Sequence, residues 1–418
     1  MADQTTKSVA ADLADERLLG PGSGVAGVIR TFGRRVRSGE LGALPVVLGL
    51  LVISLFFYSQ EPIFLSSRQL VTITQSAAPV GIIALGVVLV LLLGEIDLSV
   101  GSVSGLSAAV LAWVVVTQSQ SLVLGLLAGA GTGVAIGVLY GLLYTKVGVP
   151  SFVITLAGLM AFLGLQLKVL GVNGTVNLPR DSALLEFARQ KYVEGAAAYV
   201  IVLLVVVAYT LSQLWAIRRR RAADLSAPSY SVVAVKSVLL AVGLGYLAYY
   251  LGVGNARGFG YLFLFFVALV VLMDLVLRKT RWGRHVFAVG GNEEAARRAG
   301  IKVDRIYISV FALTGLLASV GGLLSAAFLT SVNQSSGGTD TNLTAIAAAV
   351  IGGTSLFGGR GSAYAALLGI LVLQSIQSGL NLLGVDSSVR FMVTGGVLLL
   401  AVAIDSVSRR ARSSSGRG

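Results

Sequence analysis

Few residues in this chain could do chemistry, and they gather in three places. Glu95 and Asp97 interrupt an apolar run, within Gly94-Glu95-Ile96-Asp97-Leu98-Ser99-Val100-Gly101-Ser102. A carboxylate at membrane depth is costly, so it is a functional candidate by default, suited to holding a coupling proton or cation. Asp97 has a second reading as the N-cap of a helix that begins at Leu98, accepting from the amide of Ser99 or Val100. A second interruption, Gly352-Gly353-Thr354-Ser355-Leu356-Phe357-Gly358-Gly359-Arg360-Gly361-Ser362, carries hydroxyls and no acid. Both breaks share a G-x-x-x-L-x-x-G-x-x-S spacing, early in one half and late in the other, as an internally repeated transporter would show. Irregular backbone at that depth must be buried in protein or line water.

The third place is the basic stretch 278–305, RKTRWGRHVFAVGGNEEAARRAGIKVDR. Its centre predicts a short helix. Asn292 is a good N-cap, Glu293 and Glu294 fall in the first turn, Arg297 and Arg298 in the last, and Gly300 follows at a C′ position. Glu293/Arg297 and Glu294/Arg298 have the favourable acid-first i,i+4 order. A helix of about seven residues, roughly 10 Å long, is marginal alone, so a partner surface is expected to hold it.

Other chemistry is excluded by what is missing. With no cysteine there are no disulfides or thiolates, and one histidine, His285, cannot make a histidine-rich metal site. No G-x-x-x-x-G-K-[ST] loop occurs, so the chain does not hydrolyse ATP that way. Residues 101–105 read GSVSG but open an apolar span rather than follow a strand, a poor dinucleotide loop. Neither H-E-x-x-H nor a strand-turn-helix G-x-S-x-G is present. No catalytic residue, metal or cofactor is expected; the chain moves something rather than transforming it.

The elements that position these residues are membrane helices. The chain is 55% hydrophobic and 12% charged, with mean hydropathy +0.86, too apolar for a soluble domain of 418 residues. Runs long enough to span about 30 Å of hydrocarbon predict an all-α polytopic protein with twelve crossings. They fall near 43–59, 69–93, 98–117, 121–143, 150–170, 196–216, 230–251, 261–277, 306–328, 342–359, 362–383 and 389–405. Both termini are then cytoplasmic. This places 24 of the 32 Lys and Arg inside, including Lys146, Arg360 and those of 278–305, and five outside, the asymmetry the positive-inside bias requires. The net charge of +13 thus orients the protein and meets anionic headgroups; it does not indicate nucleic acid. The domain plan is a disordered and basic tail over 1–42, with a collar at Arg30, Arg34, Arg35 and Arg37, a membrane domain over 43–405 and a basic tail over 406–418. No cleavable signal peptide is expected.

Two external segments stand out. Residues 171–195 carry Asp181, Glu186 and Glu194 against Arg180, Arg189 and Lys191, and 329–341 are polar and glycine-bearing. They read either as solvated loops whose charges balance internally or as a docking face for a soluble partner.

Four segments carry a resemblance. LLLGEIDLSVGSVSG (91–105), VPSFVITLAGL (149–159), AVGGNEEAARRAGI (288–301) and AIAAAVIGGTSLFGGRGSAYAALLG (345–369) are similar, in order and spacing, to permease subunits of ribose- and xylose-type sugar importers powered by ATP-binding cassettes. The likeness covers about 70–405. The stretch 196–251, with RRRR at 218–221, looks inserted relative to the shorter ribose-type pattern and is similar to the xylose-type branch. The resemblance implies monosaccharide import across the bacterial cytoplasmic membrane, with partners in a cytoplasmic ATPase pair, an extracellular or periplasmic sugar-binding protein, a second permease copy and membrane lipid. It also implies an ATPase-coupling helix comprising Gly291, Asn292, Glu293, Glu294, Ala295, Arg297, Arg298 and Gly300. For an uncharged sugar the expected route is lined by small and hydroxyl-bearing residues of the two breaks: Ser99, Ser102, Thr354 and Ser355, with Asp97 beside them; helix packing is the alternative for each. Asp181, Glu186 and Glu194 are the docking candidates. The competing class is a self-contained ion-coupled carrier using Glu95 and Asp97.

Overall fold

The computed structural model describes residues 44–414 except 173, 226 and 253–256, with backbone alone for most of the chain beyond Leu400. The N-terminal tail with its basic collar, and residues 415–418 of the C-terminal tail, lie outside the described residues. In chain order the main helices are α1 (Leu44–Gln60), α2 (Ser67–Leu92), α3 (Val100–Ala112), α4 (Leu122–Leu142), α5 (Ser151–Leu170), α6 (Gly195–Arg221), α7 (Tyr230–Gly252), α8 (Tyr261–Lys279), α9 (Arg281–Gly291), α10 (Glu293–Arg298), α11 (Val303–Leu329), α12 (Thr339–Ile351), α13 (Tyr364–Leu382) and α14 (Ser387–Ser414). Each of the twelve expected spans overlaps a helix. Nine helices among the described residues are long and apolar enough to cross a membrane, counting α3 and α4 with the π turns Trp113–Thr117 and Leu143–Val147 that extend them. The protein is an all-α polytopic membrane protein.

Residues 193–259 form one compact unit, and the other described residues a second. The first is the hairpin of α6 and α7, joined by a hydrogen bond of 2.8 Å from Thr210 Oγ1 to Ser237 Oγ. Helix α6 buries only Ala198 and Ile217 among its residues, so its apolar surface suits lipid. Its four terminal arginines are anchored in part by rings: Arg219 lies 4.8 Å from the centre of Trp215, and Arg221 4.6 Å from that of Tyr230.

In the larger unit, α2 is the central helix: every residue from Gly81 to Leu92 is buried. It is held to α11 by Thr314 Oγ1, which donates to the Gly86 carbonyl at 3.0 Å. The opposite side of α11 meets α4 through glycines at every fourth position. A Cβ on Gly141 would lie 2.6 Å from the Ile308 Cα; one on Gly137 would collide with the Phe311 carbonyl, and one on Gly133 with that of Gly315. Small residues at this spacing let two backbones touch, which replaces the hydrophobic drive that lipid does not supply.

The structure corrects several sequence expectations. Helix α3 starts at Val100, not Leu98, because Gly94 turns the chain at φ +83° and Asp97 and Ser99 close a local turn ahead of the helix. The expected span 342–359 is the 13-residue α12, about 20 Å long and too short to cross alone; four glycines of positive φ (353, 358, 359 and 361) then carry the chain through 352–363. The basic stretch holds a second helix, α9, capped by Thr280, which accepts from the Gly283 amide at 3.1 Å. Helix α14 runs on to Ser414, past the expected end at 405.

The two external segments are not independent loops. Strand β1 (Thr175–Asn177) pairs antiparallel with β2 (Ser331–Asn333), Val176 opposite Val332. Beyond β2 the chain turns inward: Gln166 Nε2 donates to the carbonyls of Asn333 (3.0 Å) and Ser336 (2.9 Å), and Asn342 donates to the Leu98 carbonyl. That pairing puts both segments on one side, as the charge count requires.

Candidate functional site

The cytoplasmic segment is built by end-capping. Asn292 Oδ1 accepts from the Ala295 amide at 2.8 Å, satisfying an amide that α10 leaves open at its start. At the other end the Gly300 amide reaches Arg297 O at 3.0 Å, and the Ile301 amide reaches Ala296 O at 3.1 Å, with Gly300 at φ +82°. That is a Schellman closure, and glycine supplies the left-handed residue it needs. Arg297 pairs with Glu293 at 2.8 Å, and Arg298 with Glu294 at 2.6 Å. The hydrogen bond that Arg297 donates to Glu293 holds the guanidinium's pKa above its usual value. Ala296 is buried, whereas Gly291, Asn292, Glu294, Ala295, Arg297, Arg298 and Gly300 are exposed. A six-residue helix with satisfied ends therefore shows most of its surface outward. Beside it lies a cleft of ≈ 400 Å³ lined by His285, Gly300, Lys302 and Arg305 among others.

The first break is held by two tyrosines one turn apart on α4 and its extension. Tyr140 donates to Ser99 Oγ at 2.8 Å, and Ser99 donates to Asp97 Oδ1 through both its hydroxyl (2.7 Å) and its amide (2.8 Å). Tyr144 donates to Glu95 Oε1 at 2.7 Å, and Ser151, at the start of α5, donates to Glu95 Oε2 at 2.5 Å. The second break closes on itself through the Ser355 amide to Arg360 O at 3.0 Å. The two breaks and the end of α9 then meet backbone to backbone. The Gly359 amide donates to the Leu92 carbonyl at 2.9 Å. A Cβ on Gly358 would lie 2.6 Å from Gly290 O and 2.9 Å from Gly94 N. One residue, Asn292, separates α9 from α10, so the exposed helix sits next to the junction of both interruptions.

The match to known proteins spans this whole arrangement. The family model described as branched-chain amino acid transport system / permease component covers residues 69–402. The chain belongs to this permease family. It is similar to the xylose transport system permease protein XylH of Escherichia coli (strain K12), 34% identical over 384 residues, 90% of this chain and 94% of that protein. The ribose import permease protein RbsC of Bacillus subtilis (strain 168) is 31% identical over 378 residues, 90% of this chain and 97% of that one. The probable ABC transporter permease protein y4mJ of Sinorhizobium fredii (strain NBRC 101917 / NGR234) is 31% identical over 382 residues, 90% of this chain and 94% of its own length. No solved structure matches. This permease is a multi-pass protein of the cytoplasmic membrane.

Within the permease, the residues expected to line a route are mostly covered in this conformation. Ser99 and Ser102 are fully buried, and Ser102 Oγ donates to the Ser99 carbonyl at 2.9 Å. Asp97 is buried behind them. Thr354 is buried with its hydroxyl unpartnered among the described residues, and Ser355 is half-buried. On the outer face Asp181, Glu186 and Glu194 are exposed, but Glu186 already pairs with Lys191 at 3.2 Å. The sequence reading missed Tyr144, Tyr140 and Tyr307, because a tyrosine in an apolar run reads as ordinary core. It also missed the glycine junction, whose members lie in three distant segments.

Proposed function

We propose that this chain is the permease subunit of an ATP-driven importer for a monosaccharide of the xylose type. A separate cytoplasmic ATPase pair supplies the energy and a soluble binding protein delivers the sugar. The working unit is a dimer of two permease copies in lipid, and the chain's own task is transport, with no catalytic step. The observation that carries this reading is α10, capped at both ends, exposed over most of its surface and joined through Gly290 to both interrupted segments. A partner that moves α10 would press on the backbone packed against Gly290 at both breaks. The basic cleft at His285, Lys302 and Arg305 gives that partner further charged surface.

The sugar reading draws on the names of the relatives and on the character of the second break. Thr354 and Ser355 offer hydroxyls with which an uncharged sugar can exchange hydrogen bonds. In the ion-coupled alternative, Glu95 and Asp97 would have to take their ion while both Glu95 oxygens and Asp97 Oδ1 accept hydrogen bonds from the protein. Its chief test is capture of the ATPase by the purified permease. Reversing the outward charges, Glu294→Arg with Arg298→Glu, is expected to abolish capture while leaving membrane insertion intact; undiminished capture would remove the assignment of α10.

A further inference from the structure

We propose that Tyr144 and Tyr307 are positioning residues that carry movement of α10 to the first break, as a strut running Glu293–Tyr307–Tyr144–Glu95. The proposal rests on the reading of α10 as the ATPase-coupling helix.

Four contacts in series make the strut. Tyr307, near the start of α11, donates to Glu293 Oε2 at 3.4 Å. Its ring lies against that of Tyr144, centroids 4.5 Å apart and planes tilted by 37°. The Tyr144 hydroxyl bonds Glu95 at 2.7 Å, and the other Glu95 oxygen takes the Ser151 hydroxyl at 2.5 Å. One end is thus a half-buried acid of the docking helix; the other is the acid of the break together with the first residue of α5. Tyr307 is buried and Tyr144 half-buried, so the middle of the strut is packed inside the protein.

The surroundings determine what the strut can transmit. Glycines 133, 137 and 141 let α4 lie so close to α11 that a Cβ at any of them would strike the α11 backbone, which packs the two helices as one body. Tyr144 and Tyr307 sit at the cytoplasmic end of that contact, where four residues (299–302) join α10 to α11. A tilt of α10 is therefore passed to the α4–α11 pair as a rigid body and reaches Glu95 through the two rings. The weakest link is the 3.4 Å bond at Glu293, where the strut meets the element that moves. Glu95 is half-buried and accepts a hydroxyl at each oxygen, so displacing either donor disturbs its place. The strut pulls on it through the 2.7 Å bond from Tyr144. The glycine junction acts from the other side, so the first break is gripped between two connections to the same cytoplasmic segment.

An alternative assigns the tyrosines only to tethering α4 to α11. That task is shared by Lys146 and Asp304, an ion pair of 2.7 Å between the same elements, so the two roles separate by mutation. The experiment uses the full transporter, permease with ATPase and binding protein, in proteoliposomes supplied with xylose. Tyr144→Phe and Tyr307→Phe each remove one hydroxyl and keep the ring. The expected result is unchanged ATPase capture and basal ATP hydrolysis, with the xylose carried per ATP reduced about ten-fold, inside the usual range for coupling between two sites. The double variant should be no worse than either single, because both links lie in one series. Lys146→Gln should leave the ratio unchanged. Normal xylose per ATP in both tyrosine variants would overturn the strut, as would an equal loss in Lys146→Gln. Failure of the underlying reading looks different: no ATPase is captured by the parent protein, or capture is indifferent to the Glu294 and Arg298 reversals.

Discussion

Glu294 points a carboxylate outward that is 74% exposed, while its neighbour Glu293 is 42% exposed and also accepts from Tyr307. The two acids have the same i+4 partner type, yet they face different tasks. Reversing Glu294 to Arg is expected to weaken ATPase binding about ten-fold, mainly through the association rate, as charges at an interface rim do. Glu293→Gln should leave binding near the parent value and lower transport per ATP. Titrating detergent-solubilised permease with ATPase, alongside transport assays, separates the two; identical profiles would contradict the division of labour. The candidates of the breaks divide in the same way. The chain has no cysteine, so single replacements report cleanly. Ser355→Cys, half-buried, should react with a water-soluble maleimide in the resting protein. Ser102→Cys, fully buried, should react only during turnover with ATP and sugar present. If Ser102→Cys stays protected throughout, that residue serves packing alone and the route runs elsewhere.

Helices were legible because apolar length dictates them; their interruptions were legible only in part. The break at 94–99 announced itself by two acids in an apolar run. The break at 352–362 showed as a run of glycines and hydroxyls, but the span was carried through it to 359 because hydropathy tolerates those residues; the helix ends at Ile351. Pairing of β1 with β2 was beyond reach, since it joins residues more than 150 positions apart with no local signal. The four-residue glycine spacing of α4 was visible in the sequence, but its partner face on α11 was not. That contact makes a sharp prediction. Gly137→Ala drives a methyl into the Phe311 carbonyl and should cost about 1–3 kcal/mol, as overpacking does. Gly131→Ala, on the open side of the same helix, has no neighbour within 4 Å among the described residues and should not lower the melting temperature in detergent. Equal melting of the two variants would mean that the close approach is absent. On the outer face, neutralising Asp181, Glu186 and Glu194 together should slow docking of the binding protein and flatten its salt dependence. The pairing of Glu186 with Lys191 favours the opposing view for that one residue. Docking kinetics that match the parent at every salt concentration would return the whole set to internal balance.

At the scale of the molecule, the exposed helix α10, the glycine junction and the two interruptions adjoin one another, and the proposed account makes them one path from cytoplasm to membrane interior. Residues 193–259 form a separate unit, so the stretch that looked inserted in the sequence is also distinct in structure. The charge asymmetry that oriented the spans agrees with two contacts it did not use: the β1–β2 pair on one side, and Lys146 bonded to Asp304 on the other. A path of this kind needs an engine outside the chain, and that is the central claim. It is tested most directly by xylose uptake into proteoliposomes holding the purified permease, with and without its ATPase, under ATP or under an imposed proton gradient. The account predicts uptake only when ATPase, ATP and binding protein are all present, and none with the gradient alone. Gradient-driven uptake by the permease by itself would contradict it.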